Sequence, residues 1–113
     1  MTQNTEGNLP GRTFGEDLTS IIASKSASVT TVKAISHADF GFTAAQLAAA
    51  NYVILSAATA GVNMLWDGQD PTATFGHPLN TGFIIAFGGN AKINLLKFTQ
   101  QSAASTVTIT LEH

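Results

Sequence analysis

Hydrophobic and polar positions follow a period-two rhythm along most of this chain, in short runs punctuated by Gly, Pro and Asn. Such runs predict strands. Residues Val29–Ile35, rich in branched side chains, predict a first strand, and Asp39–Phe42 a second, shorter one. Tyr52–Ala57 is apolar on both faces and predicts a central strand. The turn Thr59-Ala60-Gly61 joins it, as a hairpin, to Val62–Trp66, where Val62, Met64 and Trp66 alternate with Asn63 and Leu65. Gly82–Phe87 predicts another two-faced strand closed by a hairpin turn at Gly88-Gly89-Asn90, and Ile93–Phe98 comes after it. Thr106–Leu111 alternates strictly, threonines on one face and branched apolar residues on the other, as a half-exposed strand does.

Helical signals are few. Thr43 and Gln46 stand at capping-box spacing ahead of an Ala/Leu/Gln run ending near Asn51, which predicts one or two helical turns. Residues 1–27 are polar and broken by Pro10-Gly11 and Gly15, so they predict an N-terminal arm. Within the arm Phe14, Leu18, Ile21 and Ile22 are apolar, the last three at i, i+3 and i+4. So short a helix is marginal alone and orders only by docking, on its own domain or on a neighbouring subunit. The expected architecture is all-β: an antiparallel β-sandwich or flattened barrel of about seven strands over residues 28–110, with one short helix and the extended arm. Leu111-Glu112-His113 resembles the start of a purification tag, although Leu111 also continues the last strand pattern.

Composition narrows the function classes. A chain of 113 residues forms one domain, and with no Cys it has neither disulfides nor thiolate metal sites. Only 11% of its residues are charged, against a usual ~25%. Thr, Ser, Asn and Gln supply 35 positions and Ala 17, so the surface is polar but largely uncharged. Such a surface desolvates cheaply and suits packing against neighbours. Seven acids against five bases, with no Lys/Arg cluster, argue against nucleic acid as a partner. No apolar run reaches membrane-spanning length, and the first residues lack the basic start and apolar stretch of a secretion signal.

The most distinctive stretch is Val62–Leu79. Asp67-Gly68 is a turn dipeptide, because Gly accepts positive φ and Asp bonds its own backbone two residues on. Pro71 stiffens the loop around it, leaving Asp67, Asp70, Thr72, Thr74 and His77 as the groups a rigid loop presents. Asp67, Gly68, Pro71, Thr72, Gly76 and Leu79 form a motif that resembles one in small β-sandwich proteins encoded among the structural genes of tailed bacteriophages. A similar corner occurs in the immunoglobulin-like sandwich appended to some chitin-degrading enzymes. The close match covers 18 residues, with a looser likeness out to Thr110. The resemblance implies a virion protein made in the host cytoplasm, most simply a capsid decoration (cement) protein. Such proteins bridge capsomers, often as trimers. The implied partners are the major capsid protein, other virion subunits and sister copies. A head-fibre or tail accessory protein, or a receptor- or carbohydrate-binding module, is the alternative.

Catalytic chemistry finds little support. A nucleophile needs an adjacent base and an orienting group; His37 has Ser36 and Asp39 nearby, but adjacent strand residues point to opposite faces. His77, between Gly76 and Pro78, is either a loop contact or a ring that caps the loop. Asp67 and Asp70 lack the alternating acids of a calcium loop. Glu16-Asp17 reads as a solvated pair. No catalytic residue, metal or cofactor is expected. Trp66 shares a face with Val62 and Met64 and is expected in the core; an exposed indole would favour sugar binding.

Overall fold

The structure, a computed structural model, describes residues 20–113. Its longest alternating element is the strand predicted most directly, β8 (Ser105–Glu112), in which Ser105, Val107, Ile109 and Leu111 are buried and the threonines between them face outward. The remaining elements are β1 (Ile21–Val29), β2 (Lys33–Ala34), α1 (Ala44–Ala49), β3 (Tyr52–Ala58), β4 (Val62–Leu65), β5 (His77–Leu79), β6 (Ile84–Gly88), α2 (Asn90–Asn94) and β7 (Lys97–Gln100).

Two four-stranded sheets form a sandwich, with strand orders β1-β8-β3-β6 and β2-β7-β4-β5, every pairing antiparallel. Between them lies one apolar core that includes Val29, Ile35, Phe40, Val53, Leu55, Met64, Leu79, Ile93, Leu96, Phe98, Ile109 and Leu111, all 2% exposed or less. Phe40 and Phe98 pack tilted at 5.8 Å between ring centroids. The all-β sandwich expected from the strand rhythm is the observed fold.

Several local expectations are corrected. Tyr52–Ala57 and Val62–Trp66 do not form a hairpin: β3 and β4 belong to different sheets, and the chain crosses between layers at Thr59–Gly61. Thr59, at φ +70, makes the corner, and the Ser105 hydroxyl donates to the carbonyls of Ala58 and Ala60 to hold it. Residues Val29–Ile35 are likewise split, because β1 ends at Val29 in one sheet and β2 lies in the other. Asp39–Phe42 is a turn and loop that delivers Phe40 and Phe42 to the core. The Gly88-Gly89-Asn90 hairpin is instead the entry to α2, with Gly89 as N-cap.

The helical turn expected at Leu18, Ile21 and Ile22 is not formed over the described part. Ile21 and Ile22 open β1, and residues 21–27 belong to the sandwich. Phe14 and Leu18 lie outside the described residues. The strand was hidden because its outward positions are Ser24, Ser26 and Ser28 and its inward ones include the small Ala23 and Ala27, so apolar contrast is low. Pairing with β8 along its whole length supplies what local pattern does not. At the other end β8 runs through Leu111, fully buried, to Glu112, and the backbone N–H of His113 donates to the Ser20 carbonyl at 2.9 Å.

The helix at Ala44–Ala49 carries the capping box as predicted: the Gln46 N–H donates to Thr43 Oγ1 at 3.1 Å, and the Thr43 N–H to Gln46 Oε1 at 3.0 Å. Its far end is closed by a device the sequence does not announce. Asn90 Nδ2 donates to the carbonyls of Leu47 and Ala50 at 3.0 and 2.7 Å, and Asn94 Nδ2 also donates to Leu47. Helix termini leave carbonyls unpaired; here a second short helix supplies the donors.

Candidate functional site

Asp67 shapes the corner as the turn dipeptide predicts. Its Oδ1 accepts from the Gln69 N–H at 3.0 Å and its Oδ2 from Gln69 Nε2 at 2.8 Å, and Gly68 sits at φ +90. Asp70 Oδ1 meets Lys97 Nζ at 2.8 Å, which ties the loop to the first residue of β7. Pro71 is buried. Thr72 and Phe75 exchange backbone hydrogen bonds of 2.8 and 3.2 Å, Thr72 Oγ1 accepts from the Thr74 N–H, and the Thr72 carbonyl accepts from buried Asn63 at 2.9 Å. Gly76 lies against β4 at φ +144, where an added Cβ would stand 3.0 Å from Asn63 Cβ.

Gln101 completes the brace by donating from Nε2 to the Val62 carbonyl and to Asn63 Oδ1, both at 3.2 Å. Asp67, Asp70, Thr72, Thr74 and His77 thus lie on one corner, and all five are exposed. The polar atoms of the first three are largely engaged in holding it together.

The His77 ring stacks on Trp66 at 4.7 Å between centroids and 18° between planes, while Phe87 packs against the indole at 5.1 Å. Trp66 is half-buried and packed on the core, as expected, although it lies just past the end of β4. One face of the indole is therefore covered by imidazole.

His37 and His77 do not converge. They adjoin β2 and β5, the opposite edges of one sheet, three strand spacings or roughly 14 Å apart. His37 Nδ1 accepts from the Asp39 N–H at 3.0 Å, and Asp39 Oδ2 is bound by Lys33 Nζ at 2.5 Å. That hydrogen bond, reinforced by the ammonium charge, holds the Asp39 carboxyl below its ordinary value of 3.8. Among the described residues no group of three or more His, Cys, Asp and Glu side chains is placed to hold a metal, and no helix is long and apolar enough to cross a membrane.

A further feature is a surface that the sequence only half discloses. On the outer face of the β1-β8-β3-β6 sheet, Ser24, Thr110, Ile54 and Ala86 lie side by side, and Ser26, Thr108, Ser56 and Ile84 form the next row. Ser28, Thr106 and Ala58 make a third. Ser24 and Thr110 share a hydrogen bond of 2.8 Å between their hydroxyls. None of these positions is charged; Glu112 stands at the rim where β8 ends. The threonine column was legible in Thr106–Leu111, but its serine neighbours emerge only from the register of β1.

The charges gather elsewhere, at Lys33 with Asp39 and at Lys97 with Asp70. At the far margin of the face Phe83 is 64% and Ile84 72% exposed, beside a cavity of about 240 Å³ lined by Pro78, Leu79, Asn80, Phe83, Ile84 and Ile85.

Comparison with family models, with curated proteins and with solved structures finds no match to the chain.

Proposed function

We propose that the protein is a non-enzymatic building block of a tailed-phage particle, a decoration protein that lays its outer sheet face on the capsid and reinforces contacts between capsid subunits. The observation that supports this reading is the charge-free hydroxyl face spanning β1, β8 and β3. Removing Ser and Thr hydroxyls from water carries a modest penalty that partner hydrogen bonds offset, whereas an unpaired charge buried in an interface carries a large one. A surface this free of charge suits broad, flat contact. The corner built by Asp67, Gly68, Pro71, Thr72, Gly76 and Leu79 adds the resemblance to phage structural proteins.

Among the described residues the arrangement offers nothing comparable for the rival classes. Tyr52 and Phe83, the exposed aromatics beside the outer face, lie about five strand positions apart along β6, roughly 16 Å, too far to form one sugar platform. The histidines stand apart, as described above.

Thr108→Arg tests the reading. Thr108 is exposed in the middle of the face, so the variant is expected to fold normally. It is expected to lose binding to capsids of the parent phage in a co-sedimentation assay in which the unaltered protein binds. Undiminished binding by the variant excludes this face; no binding by the unaltered protein excludes the decoration role.

A further inference from the structure

We propose that β6 is a self-pairing edge: two copies join antiparallel along Ile84–Gly88, making one eight-stranded sheet with both hydroxyl faces on the same side.

Four strands of the sandwich lie at sheet edges, and three of them carry the features by which natural proteins block edge-to-edge pairing. β1 holds Lys25 and an irregular register between Ile21 and Ala23. β2 is two residues long and one of them is Lys33. β5 is three residues long and contains Pro78, which has no N–H to donate. β6 has none of these. It reads Ile-Ile-Ala-Phe-Gly, carries no charge, shows no register shift, and among the described residues pairs with β3 alone.

An open edge of this kind accepts any extended strand; the sequence of β6 points to a second copy of itself. An antiparallel register centred on Ala86 sets Ala86 against its own counterpart, Ile85 against the partner copy's Phe87, and Ile84 against Gly88. The centre is small on small, each bulky residue meets a complementary one, and no like charges face each other. The two-fold axis lies perpendicular to the sheet, so the contact is self-complementary and closes at two copies.

Area sets the strength. With aromatic side chains offering roughly 150–250 Å², Phe83 at 64% exposure presents about 100–160 Å². Ile84 and the edge backbone bring the patch to roughly 300–400 Å² per copy, below the ~600 Å² per partner of a specific stable interface. The dimer is therefore concentration-dependent in solution and tightened when other contacts hold the copies side by side. It does not depend on the capsid reading, since the pairing forms with or without a phage particle.

The absence of Cys from the chain makes the test clean. Sedimentation of the full chain is expected to show mass rising toward twice the monomer with concentration, and Ile84→Lys to abolish the rise. Because Ile84 is 72% exposed, that variant is expected to keep its melting temperature. Under mild oxidation, Ala86→Cys is expected to give a disulfide-linked dimer, whereas Ser26→Cys, equally on the outer face but on the opposite edge of the sheet, three strand spacings away, is not. A chain monomeric at every concentration, as when its own residues 1–19 or nothing at all covers the edge, overturns the proposal. So does a trimer, or self-association that survives Ile84→Lys. Each of these outcomes leaves capsid binding, scored separately, where it stands.

Discussion

The indole of Trp66 and the imidazole of His77 stack at 4.7 Å with 18° between their planes, and this contact closes the corner over the end of the core. One ring lies just past β4 and the other opens β5, so the stack fastens both ends of the Asp67–Gly76 loop. Removing His77 is expected to uncover the single Trp without unfolding the domain. His77→Ala should lower stability by about 1 kcal/mol, shift Trp66 emission to longer wavelength and raise its quenching by acrylamide. Trp66→Ala, which also loses the Phe87 contact, is expected to cost about 3 kcal/mol, the lower end for a large aromatic because the ring is only half-buried. Unchanged emission in His77→Ala would show that the ring leaves the indole as solvated as before.

Gly76 has no room for a side chain. At φ +144, with Asn63 Cβ 3.0 Å from an added Cβ and β4 backbone at 3.3 Å, Gly76→Ala must both strain the chain and push the loop off the strand. A loss of about 2–3 kcal/mol is expected in urea titration. Gly82→Ala is the control: it shares a positive φ of +86 but meets nothing within 4 Å, so only the conformational cost of about 1 kcal/mol applies.

Asn90 closes the first helix by donation alone, through Nδ2 to the Leu47 and Ala50 carbonyls. Asn90→Asp keeps the size and removes the donor, setting a carboxylate against carbonyl oxygens. It is expected to destabilise by about 2–3 kcal/mol, more than Asn90→Ala, as read from thermal melts at neutral pH. Equal losses in the two variants would mean the carbonyls find water instead.

Acid weakens the β1–β2 crossing through Asp39. Lys33 lowers the folded-state pKa of this carboxyl below 3.8, so its contribution is fully present above that value and is lost as pH falls through the folded pKa. Asp39→Asn should therefore lower the melting temperature at pH 7, and the gap between variant and parent should narrow as pH drops below 3.8. A gap constant with pH would assign the effect to packing instead of charge.

The features that could be read directly were those enforced by a few residues at close range. Strict alternation in Thr106–Leu111 announced β8; Thr43 and Gln46 announced the capped helix; Asp67-Gly68 and Pro71 announced the corner, since each acts through its own backbone. The sandwich class emerged from many such runs with turns between them. Trp66 packed on the core, though only half-buried, was implied by its parity with Val62 and Met64.

Tertiary structure alone decided the rest, because the deciding contacts join residues far apart in the chain. Ile21–Val29 is a strand and not a helical arm because β8 lies beside it; its small, polar residues carry too little contrast to say so. β3 and β4 part into separate sheets because Ser105, some 45 positions away, holds the corner between them. The serines of β1 and the threonines of β8 become one hydroxyl face, and Ile84 a bare edge, only once the register places each strand beside its neighbour.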